Sequence, residues 1–216
     1  TSPFAQELDA AKGAVRPTAL GVDGGRNLWV SVSTGSGADQ STRLVRYASS
    51  DTTGGVASST SGVLSSLLAD VHAVAFRPET GDLWVAQGGG NPSIVTYLRD
   101  GASTLSTPTF SNAGASTFTT TAQLGVAEAL AFDTGGNLWV TTRNLGQIRM
   151  YPKAAGSISA STGAVITAVA TPGAIAFDAM GSMYVGETTE VTPFSGKLWK
   201  FANQGSAAAP AISNVP

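Results

Sequence analysis

His72 is the single histidine among the 216 residues, and it stands immediately before a short apolar run. Glu128 stands in the same place before a second apolar run of nearly the same sequence. A histidine with a nearby carboxylate can act as a general acid or base, or as half of a metal site. One histidine and one glutamate are too few ligands for an ordinary zinc site, so the plainer alternative is a polar pair that only satisfies hydrogen bonds.

The runs that follow His72 and Glu128 belong to a sequence unit that occurs four times. The clearest copy spans residues 129–140, and the others begin at residues 19, 73 and 174. Each copy has an apolar run, a turn rich in Gly, Asp and Asn, and a second apolar run around an aromatic residue, which predicts a β-hairpin. The central aromatic residues, at steps of 55, 55 and 45 positions, are Trp29, Trp84, Trp139 and Tyr184. Such a period predicts a repeat architecture.

Further strands complete each repeat. A third apolar strand ends in an aromatic residue in every copy, at 44–47, 94–97, 148–151 and 198–201. A weaker fourth strand is predicted around 62–68, 116–124 and 164–170. The fourth repeat lacks it, whereas residues 1–17 resemble the end of a repeat. Pairing these two parts would close a ring and remove exposed sheet edges.

The sequence therefore predicts an all-β fold, a β-propeller with four blades of four antiparallel strands, closed by the N-terminal and C-terminal strands. The predicted single domain covers residues 1–216. Its repeats are 18–72, 73–127, 128–173 and 174–216, with residues 1–17 closing the ring. Part of a larger propeller of five to seven blades is the alternative.

In such a fold, the loop that enters each inner strand and the loop between the second and third strands share one face. The entering positions are Thr18, His72, Glu128 and Gly173. The second-to-third loops of the first and fourth repeats are the longest and form a predicted wall, although neutral drift in loop length is an equal alternative. The predicted binding residues at the channel mouth and on the long loops are Thr18, His72, Glu128, Gln87, Arg143, Glu187, Asp39 and Phe194.

Two other features have plain structural explanations. The hairpin turns begin at Asp23, Asp133 and Asp178. Hydrogen bonds between the aspartate side chain and the backbone of the turn explain why aspartate occupies these positions. The glycine-rich segment at 88–90 lacks the Gly-Lys-Ser/Thr of a phosphate-binding loop and leads into no predicted helix, so a turn is expected there. Arg143 lies in the matching loop of the third repeat. It is either a ligand for an anion or a solvated side chain without such a role.

Composition restricts the partners. The net charge is −2, only 12% of the residues are charged, and neither sign forms a run, so nucleic acid is not expected. No apolar run is long enough for a transmembrane segment. The absence of cysteine excludes disulfides. The charge-poor composition, rich in Ser, Thr and Gly, suggests a bacterial protein that is secreted, periplasmic or associated with the cell envelope. The oligomeric state stays open.

The pattern that runs from Ala174 to Asp178, together with that from Gly136 to Val140, resembles the repeat of NHL and streptogramin-lyase-like (Vgb-type) propellers. The resemblance extends from residue 18 to about residue 205 and implies a propeller, while family members serve as enzymes, binding platforms and envelope proteins alike. Two features depart from it. Those propellers usually have six or seven blades, and their enzymes gather several histidines and carboxylates at the channel mouth.

The scarcity of acid–base groups leads us to expect a non-catalytic propeller, a binding or assembly module of the bacterial cell envelope or exterior. Its expected partners are other envelope or extracellular proteins. The alternative, implied by the resemblance, is a metal-dependent lyase or lactonase. Its metal would be held at the channel mouth by His72, Glu128 and Glu187. One divalent cation in the channel, such as Ca²⁺ or Mg²⁺, also remains open.

Overall fold

The described part of the chain consists of β-strands joined by turns, with one short 3-10 turn at Arg143–Leu145. The computed structural model describes residues 16–34, 41–47, 68, 70–88, 92–101, 103–104, 108–120, 125–189, 195–206 and 211–216. Its strands are β1 (Arg16–Val22), β2 (Leu28–Thr34), β3 (Ser41–Tyr47), β4 (Val71–Phe76), β5 (Leu83–Gln87), β6 (Ser93–Arg99), β7 (Phe110–Thr120), β8 (Ala127–Phe132), β9 (Leu138–Thr142), β10 (Gln147–Tyr151), β11 (Lys153–Ala154), β12 (Ser157–Ile158), β13 (Ala164–Ile166), β14 (Pro172–Phe177), β15 (Met183–Thr189) and β16 (Ser195–Phe201).

These strands form four successive sheets and one small hairpin. The sheet orders are β1-β2-β3, β4-β5-β6-β7, β8-β9-β10-β13 and β14-β15-β16, and β11 pairs with β12. In the first, third and fourth sheets, the second strand pairs antiparallel with both the first and the third strand. In the second sheet, β4 pairs antiparallel with β5. Each sheet is therefore one blade of the predicted propeller, and we number the blades 1 to 4 in chain order.

The chain divides into two compact units. The first comprises Thr1–Gly90 and Ile94–Thr117, and the second comprises Asn91–Ser93 and Phe118–Pro216. In the first unit, Trp29 of blade 1 packs on Phe76 of blade 2, with the ring centroids 5.7 Å apart. In the second unit, Trp139 of blade 3 packs on Phe177 of blade 4 at 5.9 Å. The same aromatic contact thus joins neighbouring blades twice.

Buried carboxylates hold the hairpin turns as expected. The carboxylate of Asp133 accepts hydrogen bonds from the backbone N–H of Gly135 and Asn137, from the Asn137 side chain and from the Trp139 indole. Asp23 accepts the equivalent set in blade 1. The turn motif therefore fixes the central aromatic residue as well as the backbone.

The fourth strands differ most from the prediction. In blade 2, β7 begins at Phe110 rather than near residue 116, and in blade 3, β13 ends at Ile166 rather than near residue 170. The hairpin β11-β12 was not predicted. The expected strand at 62–68, apart from Leu68, and the closing segment at 1–15 lie outside the described residues. Outer strands carry weak patterns because fewer of their side chains enter the core.

Candidate functional site

A β-bulge marks the beginning of all four inner strands. The register of the inner strand against the second strand shifts between Pro17 and Ala19 in blade 1, between Val71 and Ala73 in blade 2, between Ala127 and Ala129 in blade 3, and between Pro172 and Ile175 in blade 4. The residues inside these shifts include every predicted entering position: Thr18, His72, Glu128 and Gly173. A bulged residue lies outside the regular ladder, so its side chain can be re-aimed, and bulges are frequent beside active sites.

His72, in the bulge of blade 2, meets a carboxylate that sequence reasoning missed. Its Nε2 lies 3.2 Å from Oδ2 of Asp70. The side chains are 23% and 49% exposed, so water and small molecules can reach both. The signal that points to Asp70 is the i, i+2 spacing, which places two side chains on the same side of an extended chain.

The backbone at Asp70 and Gly88 makes room for this pair of side chains. Asp70 has a φ of 48°, in the left-handed region that aspartate tolerates better than most residues. Its carbonyl accepts a hydrogen bond from the backbone N–H of Gly88 at 2.8 Å. A Cβ on Gly88 would lie 2.6 Å from Nε2 of His72 and 2.9 Å from Oδ2 of Asp70. The pair therefore occupies the space that a side chain at position 88 would need.

Two other predicted residues lie near the bulges of the first unit. The hydroxyl of Thr18 is 2.9 Å from that of Ser31, which is fully buried. Gln87 is the ladder partner of Val71, the residue before His72. In the first unit, the bulge of blade 1 thus presents a hydroxyl pair, and the bulge of blade 2 presents an acid–base pair.

Glu128 and Arg143 each directly follow one member of the same ladder pair in blade 3. Glu128 follows Ala127, whose ladder partner is Thr142, and Arg143 follows Thr142 as the first residue of the 3-10 turn. Both are half-buried. His72 lies in the first unit and Glu128 in the second, so the predicted approach of these two residues stays a prediction.

Glu187 is 6% exposed, and both of its carboxylate oxygens are engaged. Oε2 accepts a hydrogen bond from the indole of Trp199 at 2.8 Å, and Oε1 accepts one from the backbone N–H of Ala170 at 3.1 Å. The indole hydrogen bond, together with the backbone N–H groups of Ala170 and Thr171 and the charge of Lys197, lowers the pKa of Glu187, although partial desolvation opposes this. Glu187 is therefore an ionised anchor that holds the chain entering β14 to the sheet of blade 4.

Asp39 and Phe194, the predicted residues on the long loops, lie outside the described residues. Within the residues that the structure describes, no three His, Asp or Glu side chains form a group that could hold a metal ion. In the same part of the chain, no helix is long and apolar enough to span a membrane. The described residues that were predicted for the site thus include His72, in an acid–base pair with Asp70, and Glu187, a buried carboxylate with both oxygens hydrogen-bonded.

Solved structures with the same fold include two proteins named as lactonases and one enzyme of another name. A protein from Bacteroides uniformis that is provisionally named a 6-phosphogluconolactonase matches with a TM-score of 0.60 and 14% identity, over 93% of this chain and 56% of its own. A gluconolactonase from Xanthomonas campestris matches with a TM-score of 0.56 and 17% identity, over 85% and 56%. A luciferin-regenerating enzyme matches with a TM-score of 0.62 and 17% identity, over 87% and 61%. No protein-family model and no curated protein sequence matches the chain.

These matches confirm the predicted β-propeller class. The chain spans just over half the length of the first solved structures that it matches. The expectation of a non-catalytic binding or assembly module is wrong, because the neighbours are named as gluconolactonases and 6-phosphogluconolactonases and favour the catalytic alternative. That expectation relied on the small number of acid–base groups, which is a weak argument because a single base can be enough for hydrolysis of an activated ester.

Proposed function

We propose that this chain belongs to a lactone hydrolase of the propeller fold, with cyclic esters of sugar acids as its substrates. The substrate class comes from the names of its structural neighbours, a gluconolactonase and a provisional 6-phosphogluconolactonase. The observation on this chain that supports an acid–base reaction is the partly exposed pair of His72, in the bulge of blade 2, and Asp70, two residues before it.

For lactone hydrolysis, the protein needs to position the substrate and to transfer a proton. Water adds to the ring carbonyl while a base takes its proton, and the tetrahedral intermediate then breaks the ring C–O bond. The leaving alkoxide receives the proton that the base took. One group that accepts and then releases a proton can therefore serve as the base in the first step and as the acid in the second.

His72 is suited to that role in one tautomer. When the Nε2 proton is donated to Oδ2 of Asp70, the neutral ring carries its lone pair on Nδ1, which would accept the proton of the attacking water. Asp70 also stabilises the imidazolium that forms, as an orienting carboxylate does in a catalytic triad. In this proposal His72 is the general base and Asp70 is the positioning residue.

The test is hydrolysis of glucono-δ-lactone and of its 6-phosphate, followed by proton release and corrected for spontaneous hydrolysis. We expect His72→Gln to lower kcat by ~10² to 10⁴-fold, the usual contribution of a general base. Asp70→Asn should lower kcat less and shift its pH dependence. Each assay is run with added Ca²⁺, with Mg²⁺ and with a chelator, which tests the predicted divalent cation at the same time.

Glu79→Gln is the matched control, since it makes the same carboxylate-to-amide change at the β4–β5 turn, at the opposite end of β4 from His72. Unchanged thermal unfolding shows that the variants are folded. If the wild-type chain hydrolyses neither lactone faster than buffer, the proposed substrate class is wrong. If the enzyme is active and His72→Gln retains full activity, the proposed base is wrong.

A further inference from the structure

The inner strands of blades 1 and 2 lie side by side. In the first unit, β1 packs along β4, and the two strands approach closely at Gly21. A Cβ on Gly21 would lie 3.0 Å from Cγ1 of Val74 and 3.2 Å from its carbonyl oxygen. Thr18, three residues before Gly21, and His72, two residues before Val74, are the bulged residues of these strands. The two bulges therefore belong to one pair of packed strands.

The second unit shows which ends of neighbouring strands lie together. Trp139 of β9 packs on Phe177, the last residue of β14. Two positions further along β9, the hydroxyl of Thr141 donates a hydrogen bond to the carbonyl oxygen of Gly173 at 2.7 Å. Gly173 lies in the bulge at the beginning of β14. The second strand of one blade thus runs along the inner strand of the next blade, from the end of that strand toward its bulge.

The junction of blades 1 and 2 repeats this arrangement. Trp29 packs on Phe76, the last residue of β4, in the aromatic contact that recurs between blades 3 and 4. Ser31, two positions further along β2, occupies the place of Thr141 in the repeat. This equivalence puts Ser31 beside the bulge of blade 2, which contains His72. The hydroxyl of Ser31 and the acid–base pair therefore belong to the same end of one junction.

The hydroxyl of Ser31 fixes that of Thr18. Ser31 is 0% exposed, and among the described residues its side chain is hydrogen-bonded to Thr18, with the two hydroxyl oxygens 2.9 Å apart. A buried hydroxyl needs a partner, so Ser31 donates its hydrogen to Oγ1 of Thr18. Because Thr18 accepts that bond, its own O–H points elsewhere and can donate to a third group. The bulge of blade 1 therefore holds a hydroxyl donor in a fixed position.

We propose that the Thr18 hydroxyl donates a hydrogen bond to the carbonyl oxygen of the lactone that His72 hydrolyses, a role that rests on the proposed function. As the oxygen of water bonds to the carbonyl carbon, its proton passes to His72 and the C=O electron pair moves onto the carbonyl oxygen. A donor already aimed at that oxygen stabilises the negative charge that develops there. In this proposal Thr18 is a catalytic residue and Ser31 is its positioning residue.

Kinetics of glucono-δ-lactone hydrolysis test the two roles. We expect Thr18→Val to lower kcat and kcat/KM equally, by ~10²-fold, because the bond matters most in the transition state. Thr18→Ser retains the hydroxyl and should retain most of the activity. Ser31→Ala should lower kcat in the wild-type chain but have no further effect in the Thr18→Val chain, because the two residues act through one bond. A merely structural role for Ser31 would give equal losses in both backgrounds.

Thr96→Val is the matched control. It makes the same change in another threonine–serine hydroxyl pair, Thr96 with Ser116 in blade 2, where the oxygens are 2.7 Å apart between β6 and β7. Its kcat should equal that of the wild-type chain, and thermal unfolding verifies that all variants are folded. An unchanged kcat in Thr18→Val, or an equal effect of Ser31→Ala in both backgrounds, overturns the proposal.

Binding of glucono-δ-lactam separates this proposal from the proposed function. This amide analogue offers the same carbonyl oxygen but resists hydrolysis, so calorimetry measures its binding directly. We expect Thr18→Val to weaken binding roughly 3- to 10-fold, as for the loss of one hydrogen bond, and Thr96→Val to leave it unchanged. If the chain hydrolyses no lactone but binds the lactam through Thr18, the proposed function is wrong and the role of Thr18 in binding stands. A chain without hydrolysis whose lactam binding is absent, or is the same in Thr18→Val, overturns both proposals.

Discussion

The turn carboxylate of blade 3 offers the sharpest test of how the repeat motif stabilises the fold. Asp133 is 2% exposed and accepts four hydrogen bonds of 2.8–2.9 Å. In Asp133→Asn the shape is retained, and the one remaining carbonyl oxygen can still accept the bonds from the N–H of Gly135 and Asn137. The new amide group, however, faces two donors, the side-chain amide of Asn137 and the indole N–H of Trp139.

The magnitude follows from those two donors. A buried donor left without an acceptor costs about 1–3 kcal/mol, and the indole of Trp139 is almost completely buried. The side chain of Asn137 is half-buried and can find water, so it adds less. We therefore expect Asp133→Asn to lower the free energy of unfolding by about 2–4 kcal/mol.

Asp178→Asn in blade 4 is the matched control. It makes the same change in the equivalent turn, where the side-chain donor is the hydroxyl of Tyr184 rather than an indole. A hydroxyl can rotate and accept a hydrogen bond from the new amide, so the loss should be clearly smaller. Urea unfolding followed by circular dichroism gives both free energies, and hydrogen exchange of the Trp139 indole reports on the bond itself. Equal losses in the two variants would refute the reasoning.

Three further outcomes are expected. Gly88→Ala should remove lactone hydrolysis while the protein stays folded, because the new Cβ would lie 2.6 Å from Nε2 of His72; kinetics together with thermal unfolding check this. The pKa of Glu187 is lowered in the folded protein, so its stabilising effect is present above the ordinary pKa of 4.5 and disappears as the pH falls through the lowered value. Between pH 7 and pH 3, the urea midpoint of Glu187→Gln should therefore fall less steeply than that of the wild-type protein. Arg26 has a φ of 62° where blade 3 has Gly136 at 83°, so Arg26→Gly should stabilise the protein by about 1 kcal/mol in urea unfolding, and a loss of stability would contradict the argument.

The repeat made the blades predictable because its signals are local. Alternating apolar residues, a turn aspartate and a central aromatic act within about a dozen positions, so the hairpins β1-β2, β4-β5, β8-β9 and β14-β15 could be located from the sequence. The outer strands could not be placed as well. β7 and β13 differ from the predicted bounds because their pairing depends on which part of a long connection meets the third strand.

The candidate site was predictable only as a set of positions. The repeat register identified His72 and Glu128 as equivalent residues at the start of inner strands, and the bulges there confirm that equivalence. The partner of His72 is Asp70, which was not predicted because the bulge and the left-handed backbone at Asp70 bring the two side chains together. The hydrogen bonds of Glu187 to Trp199 and Ala170 were not predicted, and its expected place beside a metal stays a prediction.

The sequence by itself determined the strand pattern, the repeat and the all-β propeller class, because each depends on residues close together in the chain. Only the tertiary structure decided which equivalent residues differ in environment. Leu44 and Leu198 occupy the same place in the repeat, yet the first is 0% exposed and the second 74%. Burial depends on what packs against a face, and a repeated sequence does not specify those contacts.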